Sequence, residues 1–338
     1  RRGGRPVEGS GMLCLDLTSG NMIWNKQEGV FGAWLSYSAE HDILLQATRP
    51  SSDMVRGEDG RRMAAYGGRD GRLLWDRKIE YGSVPILRRD RIITAGKMID
   101  LLSGEELVRK HPLTGEEVPF SWKRNYGCNY PIACENLLTF RSAAAGYFDL
   151  TNLGGTGNLG GFKSGCTSNL VAADGVLNAP DYTRTCACSY QNQTSLALLY
   201  DRDVEVWTFN DLDSVSAPVR RVGINLGAPG DRVSDEGTLW LDYPSRGGPS
   251  PDIPVSVEGD SLRWFCHHSS RIREGEMRWV AASGVEGARK LTLNLGHGDA
   301  APRTFKVRLY FSDCDAHSGS HVFSLGIQGK RVVERLDL

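Results

Sequence analysis

Leu15-Asp16-Leu17-Thr18-Ser19-Gly20-Asn21-Met22-Ile23-Trp24 is the stretch from which the fold can be read. Asp and Ser/Thr side chains bond back to the backbone of a tight turn and Gly takes its left-handed position. An aromatic residue just beyond is placed to pack between neighbouring sheets. An echo stands at Tyr66-Gly67-Gly68-Arg69-Asp70-Gly71-Arg72-Leu73-Leu74-Trp75, again with Gly four residues before Trp. In Asp100-Leu101-Leu102-Ser103-Gly104-Glu105-Glu106 the Asp keeps its place before Gly, and Val108 stands where Trp would. Phe148-Asp149-Leu150-Thr151-Asn152 is a weaker fourth copy.

Between these turns lie short runs of strand character: Asp42-Ile43-Leu44-Leu45-Gln46, Arg91-Ile92-Ile93-Thr94 and Asn136-Leu137-Leu138-Thr139-Phe140. Units of about 30 to 50 residues made of strands and such turns point to propeller blades. The D-x-x-S/T-G-x-x-x-W turn resembles that of the PQQ-like (quinoprotein dehydrogenase type) β-propeller repeat, over roughly residues 10 to 208. The stretch 165–198 is also similar to a segment of large exported bacterial proteins with PQQ-like propellers. A complete propeller has about four to eight blades, and about 200 residues supply only about four or five at this spacing, so either the ring is small or blades are missing, the second being favoured. An incomplete ring is therefore expected, with blades missing on the N-terminal side and strand edges left uncovered.

Composition agrees with an all-β chain. Its 40 glycines and 24% charged residues suit many short strands joined by tight turns. Lys plus Arg is 40 and Asp plus Glu is 41, so no net field draws the chain to nucleic acid or an anionic membrane. No apolar run approaches the roughly 20 residues of a membrane span. The basic, Gly-rich start Arg1–Gly11 has no apolar signal core and no initial Met, so a processed product or fragment is expected. Eight cysteines favour an exported, oxidising location: periplasm, cell surface or medium.

The composition changes at the linker 211–218, and period-2 alternation then becomes regular over 219–338. Leu291, Leu293 and Leu295 share one face, as do Phe305, Val307, Leu309 and Phe311, and as do Phe323, Leu325 and Ile327. That pattern predicts an antiparallel sandwich. Arg221-Val222-Gly223-Ile224-Asn225-Leu226-Gly227, Gly237-Thr238-Leu239-Trp240-Leu241-Asp242-Tyr243-Pro244 and Val307-Arg308-Leu309-Tyr310-Phe311 resemble malectin-like carbohydrate-binding jelly rolls. The strand-like run Lys330–Leu338 leaves the sandwich expected to be cut short.

The stretch 165–198 holds three of the eight cysteines and a dense polar set: Asn169, Asn178, Asp181, Tyr182, Arg184, Tyr190, Gln191 and Asn192. Polar groups this dense in a β segment must be satisfied by each other, by water or by a ligand. With Arg124, Asn125, Tyr126 and Arg141 upstream they form the candidate ligand site. Cys186 and Cys188 share one face of a strand, where they are badly placed to bond to each other. Each is expected to reach another cysteine, with Cys128, Cys134 and Cys166 the near candidates for two disulfides. A thiolate metal site and free thiols remain open alternatives.

Gly155-Thr156-Gly157-Asn158-Leu159-Gly160 matches G-x-G-x-x-G, but no helical period follows, so a turn between blades is the better reading. The adjacent cysteines that the resembled quinoprotein alcohol dehydrogenases carry are missing, and so is a C-x-x-C-H haem site. PQQ with Ca²⁺ therefore belongs only to an alternative reading, an oxidoreductase completed by further blades. Asp313, Cys314, Asp315, His317 and His321 read as an exposed polar loop, and His267-His268 face opposite ways on a strand; no metal is expected at either. Trp240 and Tyr243, beside Asp242, are candidates for stacking on a sugar. No nucleophile elbow, H-E-x-x-H or P-loop is present. The expectation is a non-catalytic binding or scaffolding protein of the cell exterior, without a cofactor, holding a carbohydrate or protein partner.

Overall fold

A computed structural model describes residues 11–48, 61–127, 130–162, 170–180, 195–212, 217–296, 302–314 and 322–338. The chain is nearly all β and divides into two compact units. Pro112–Thr114 and Glu205–Phe209 go with the second unit, which otherwise begins at residue 214.

The first unit is a series of antiparallel sheets. Hairpin β1 (Met12–Leu15) and β2 (Met22–Lys26) comes first. Next is a four-stranded sheet of β3 (Trp34–Ser38), β4 (Ile43–Ala47), β5 (Arg62–Gly67) and β6 (Leu73–Lys78), paired in sequence order. Then follow β7 (Ile86–Arg88), β8 (Arg91–Thr94) and β9 (Lys97–Asp100), and the hairpin β10 (Val108–Lys110) and β11 (Glu117–Pro119). β12 (Ile132–Ala133), β13 (Leu137–Ser142), β14 (Ala144–Asp149) and β15 (Thr156–Asn158) pair in order, as do β16 (Val171–Ala173), β17 (Val176–Ala179) and β18 (Leu196–Leu199).

These sheets stack face on face, so the inner ones bury both sides. Along β5, Ala64 and Tyr66 pack with Met12 and Phe31, while Met63 and Ala65 turn the other way to Leu45, Trp75, Ile92 and Leu101. Along β8, Ile92 joins that second core and Ile93 joins a third with Met98, Trp122, Phe140 and Phe148. On β14, Phe148 belongs to the third core and Ala145 to a fourth with Leu170 and Ala179. Successive strand residues face opposite ways. A strand buried on both faces therefore reads as a continuous apolar run, which is why this half shows no alternation.

Five turns among the described residues share one backbone pattern. The N–H of the fifth residue donates to the carbonyl of the first: Gly20 to Asp16 at 2.8 Å, Gly71 to Gly67 at 2.9 Å, Gly104 to Asp100 at 2.9 Å, Gly115 to His111 at 2.8 Å, and Leu153 to Asp149 at 3.1 Å. The fifth residue is left-handed each time, with φ of 71°, 68°, 70°, 72° and 54°; Gly takes this conformation without a Cβ penalty. Where the first residue is Asp, its carboxylate closes the turn. Asp16 Oδ1 accepts from the Ser19 N–H at 2.6 Å and the Ser19 hydroxyl at 2.7 Å. Asp100 does the same with Ser103, and Asp149 with Thr151. The Ser19 N–H bond, then the Ser19 hydroxyl, holds the Asp16 carboxyl below its ordinary range.

The tryptophans join one sheet to the next. The Trp24 indole N–H donates to Gly68 O at 2.9 Å, and its ring lies where a Cβ on Gly71 would meet it at 2.9 Å. The Trp75 N–H donates to Leu101 O at 2.8 Å, and its ring lies 2.7 Å from a Cβ position on Gly104. Each acceptor is the second residue of a turn and each glycine the fifth.

The second unit contains β19 (Thr208–Phe209), bridged to Asp231, and the sheet β20 (Gly223–Leu226), β22 (Leu239–Tyr243) and β21 (Arg232–Val233). Three antiparallel pairs complete it: β23 (Val255–Glu258) with β26 (Lys290–Leu293), β24 (Arg263–Cys266) with β25 (Ser283–Glu286), and β27 (Val322–Ile327) with β28 (Lys330–Asp337). A short helix α1 (Arg278–Ala281) precedes β25. Two features differ from the antiparallel sandwich expected. β20 and β22 run parallel, and 305–311 forms no strand. Alternation reports which face a side chain takes, but a strand also needs an edge to pair with, and none of the described strands pairs with 305–311.

Candidate functional site

Four of the expected ligand residues are brought together beside β13. Segment 124–127 runs along the end of that strand, where the Ala143 N–H donates to Tyr126 O at 2.7 Å and the Asn125 N–H to the Ser142 hydroxyl at 2.9 Å. Arg141 is 3% exposed, with its guanidinium 5.5 Å from the centre of the Tyr126 ring. Arg124 donates to Arg141 O at 3.3 Å and lies 5.9 Å from the Phe140 ring. Tyr126 itself is 70% exposed. The patch therefore offers a solvent-facing phenol backed by a buried guanidinium, suited to a stacking or hydrogen-bonding contact with a polar partner.

The local sequence explains this placement. Tyr126-Gly127 is the third of a series begun by Phe31-Gly32 and Tyr81-Gly82. A Cβ on Gly32 would lie 2.3 Å from Ala47 O, and one on Gly127 would lie 2.2 Å from Arg141 O. Only glycine lets the incoming chain approach its neighbour this closely. Phe31 and Tyr81 are buried, whereas Tyr126 is exposed. The aromatic-glycine series was a signal in the sequence, and it gives Tyr126 a place in the fold besides any contact with a ligand.

Asn178 sits on β17 and spends its amide across the strand pair, donating to Val171 O at 3.4 Å. Asn169, Asp181, Tyr182, Arg184, Tyr190, Gln191 and Asn192 lie outside the described residues, as do Cys128, Cys166, Cys186 and Cys188. Of the five cysteines expected to pair, Cys134 carries a free thiol here; Cys14, Cys266 and Cys314 are free as well. Burial pushes the Cys266 thiol up, away from thiolate chemistry. The run 155–160 forms β15 and a turn, and Gly157 faces Tyr147, a Cβ there lying 2.2 Å from the phenol ring. No phosphate cradle opens onto a helix in this run.

The two sugar-stacking candidates are three residues apart on β22 and part company. Tyr243 packs on Trp264 at 5.9 Å. Trp240 belongs to a cluster of Trp207, Trp279 and Tyr310, with ring centres 5.7 to 6.1 Å apart, and Arg232 stands 4.9 Å from the Trp279 ring. Burial holds the Arg232 guanidinium below its ordinary range, partly offset by Glu205 and Asp235. One face of Trp240 is closed by Gly223, whose Cβ position is 2.1 Å from the ring. Trp240 is thus braced by backbone and rings; it is half-buried, as are Trp207 and Trp279, and Tyr310 is the most exposed of the four, at 38%. Sequence reasoning missed Trp207, Arg232 and Trp279, which come from separate elements with no shared motif.

A cleft of about 310 Å³ lies between β6 and β9, and four of its charged residues are paired, Arg77 with Glu105 at 3.6 Å and Lys97 with Glu106. Among the described residues no three His, Cys, Asp or Glu side chains form a set that could hold a metal ion.

No family model matches the chain, and no curated protein is similar to it. Solved structures do share features with it. The crystal structure of BamB from Moraxella catarrhalis is 16% identical with a TM-score of 0.31, over 47% of this chain and 47% of that one. The computationally designed Ika8 protein is 11% identical with a TM-score of 0.31, over 55% of this chain and 51% of its own. The chain thus spans about half the length of these structures.

Proposed function

We infer that the chain is a non-catalytic binding or scaffolding protein of the cell exterior, built on PQQ-like propeller blades, that holds a protein partner. The observation that carries this reading is the β1–β2 hairpin, where Leu13 and Leu15 share one face of β1 and are 56 and 51% exposed, beside Met22 at 61% on β2. Contiguous apolar surface of this kind marks an interaction site. In the next sheet the counterparts of Leu13 and Leu15, Ala64 and Tyr66, are buried against Met12 and Phe31, whereas the counterparts of Met22 and Ile23, Leu73 and Leu74, stay 48 and 38% exposed. The placement outside the cytoplasm rests on the eight cysteines and on the family resemblance. Among the described residues no helix is long and apolar enough to cross a membrane.

A carbohydrate is the less supported partner, because Trp240 is closed on one face and Tyr243 points elsewhere. The test is photo-crosslinking from position 13 or 23 in the producing cell. A polypeptide adduct that disappears when Leu15 is changed to Glu supports the reading. Recovery of the uncrosslinked chain alone, together with specific retention on a glycan array, overturns it in favour of carbohydrate.

A further inference from the structure

Three Asp-Gly steps occur in the sequence, at Asp59-Gly60, Asp70-Gly71 and Asp174-Gly175. The first lies outside the described residues, and the other two sit in turns. An aspartyl residue before glycine can lose water and close a five-membered imide, because no side chain on the next residue shields the attacking nitrogen. The reaction needs a carboxyl group free to turn and a glycine nitrogen free to attack. At Asp70-Gly71 both are engaged. Asp70 Oδ1 accepts from the Arg72 N–H at 3.0 Å, the Gly71 N–H donates to Gly67 O at 2.9 Å, and the Trp24 ring lies 2.9 Å from a Cβ position on Gly71. At Asp174-Gly175 neither is. This step forms the two-residue turn between β16 and β17, with Ala173 paired to Val176 and left-handed φ of 50° and 77°, the hairpin turn that Asp-Gly favours. Both residues are exposed. Among the described residues no group bonds to the Asp174 carboxylate or to the Gly175 N–H, and no atom lies within 4 Å of a Cβ position on Gly175.

We propose that Asp174 is a site of spontaneous isoaspartate formation, and that the turn at Gly67–Gly71 protects Asp70 from the same reaction. The Gly175 nitrogen bonds to Asp174 Cγ and gives up its proton; one carboxyl oxygen leaves as water with that proton and the proton of the carboxyl group. Water then reopens the imide. Attack at Cγ restores aspartate. Attack at the main-chain carbonyl carbon breaks its bond to the Gly175 nitrogen, which takes back a proton, and the chain now runs through the side chain with a free α-carboxylate. The new linkage puts an extra carbon into the backbone of a two-residue turn, so Ala173 and Val176 no longer meet in register. β16 is at the edge of its sheet and loses its pairing at that end. The class of enzyme that recognises such a carboxylate is a carboxyl methyltransferase, which moves a methyl group onto it from S-adenosylmethionine.

The whole chain is aged in neutral buffer at physiological temperature, folded in one arm and denatured in urea in the other. It is then treated with an isoaspartyl carboxyl methyltransferase and labelled S-adenosylmethionine, and the labelled peptides are located by mass spectrometry. In the folded chain the peptide carrying Asp174 should gain label about tenfold faster than the one carrying Asp70, which has two hydrogen bonds to break first. In the denatured chain the two should label alike. Asp174→Glu should abolish label in its peptide, because glutamate would have to close a larger ring. A folded chain in which Asp70 labels as fast as Asp174, or in which the Asp174 peptide gains no label, overturns the proposal. So does a difference that persists unchanged in urea, since neighbouring residues and not the turns would then set it. Label that survives Asp174→Glu in this peptide also overturns it, because another residue would be the site.

Discussion

Gly104→Ala separates the docking contact from the turn itself. At φ of 70° any L-side chain carries the left-handed penalty, about 1 to 2 kcal/mol. The new methyl would also lie 2.7 Å from two atoms of the Trp75 ring and 3.1 Å from Arg77 Cδ, against about 3.5 to 4 Å for a relaxed carbon contact. The ring cannot retreat freely, because it is buried and its N–H is held by Leu101 O at 2.8 Å. Overpacking of this kind costs about 1 to 3 kcal/mol, and stretching the indole bond adds up to about 1 kcal/mol. The sum is about 2 to 6 kcal/mol. Gly20→Ala has nearly the same φ, 71°, and nothing near the methyl, so it should cost only the backbone part, about 1 to 2 kcal/mol. Gly71→Ala should fall between, since Trp24 is only half-buried and can shift. Urea denaturation followed by far-ultraviolet circular dichroism reads the order directly. With a slope near 2 kcal/mol/M, Gly104→Ala and Gly20→Ala should differ by about 1 M in midpoint. Equal midpoints for the two variants would refute the idea that tryptophan on glycine joins the sheets.

Three further outcomes follow from single contacts. Burial, with help from Asp149, pushes the Tyr147 phenol up to about 12 from its ordinary 10. The folded chain then holds this proton more tightly than the unfolded one, so the contribution is intact below pH 10 and is lost as pH rises toward 12, about 2 to 3 kcal/mol in all. A Tyr147→Phe variant should lack this part of the alkaline loss, and parallel pH curves for the two proteins would show that the phenol is not responsible. Tyr126→Ala should change stability by less than about 0.5 kcal/mol, being exposed, whereas Arg141→Ala at a buried position should cost about 2 kcal/mol or more; thermal melts of the pair decide it, and equal costs would contradict the burial pattern. Gly223→Ala drives a methyl into the Trp240 ring and should red-shift tryptophan emission at an unfolding midpoint lowered by about 1 to 3 kcal/mol, while unchanged emission would mean that the ring is not seated there.

Legibility in this chain followed the range of the forces involved. The turns were visible because their chemistry is local: Asp16, Ser19 and Gly20 satisfy one another within five residues, and the same types recur at Asp100, Ser103 and Gly104. The turn at His111–Gly115 keeps the backbone bond without the carboxylate or the tryptophan, and so escaped a pattern defined by side chains. The partner of each tryptophan was not visible. The sequence places Trp24 four residues after Gly20, yet the glycine under its ring is Gly71, in the next sheet. Spacing within a motif cannot report a contact made across the stack. The same limit explains the second unit, where alternation sorted Phe305, Val307, Leu309 and Phe311 onto a face but said nothing of whether an edge stood ready to pair. It also explains the cluster of Trp207, Arg232, Trp240 and Trp279, which only the fold assembles. A repeat protein reverses this limit in one respect. Once the seat of Trp24 on Gly71 is known, the same relation locates the seat of Trp75 on Gly104, one turn further along the stack.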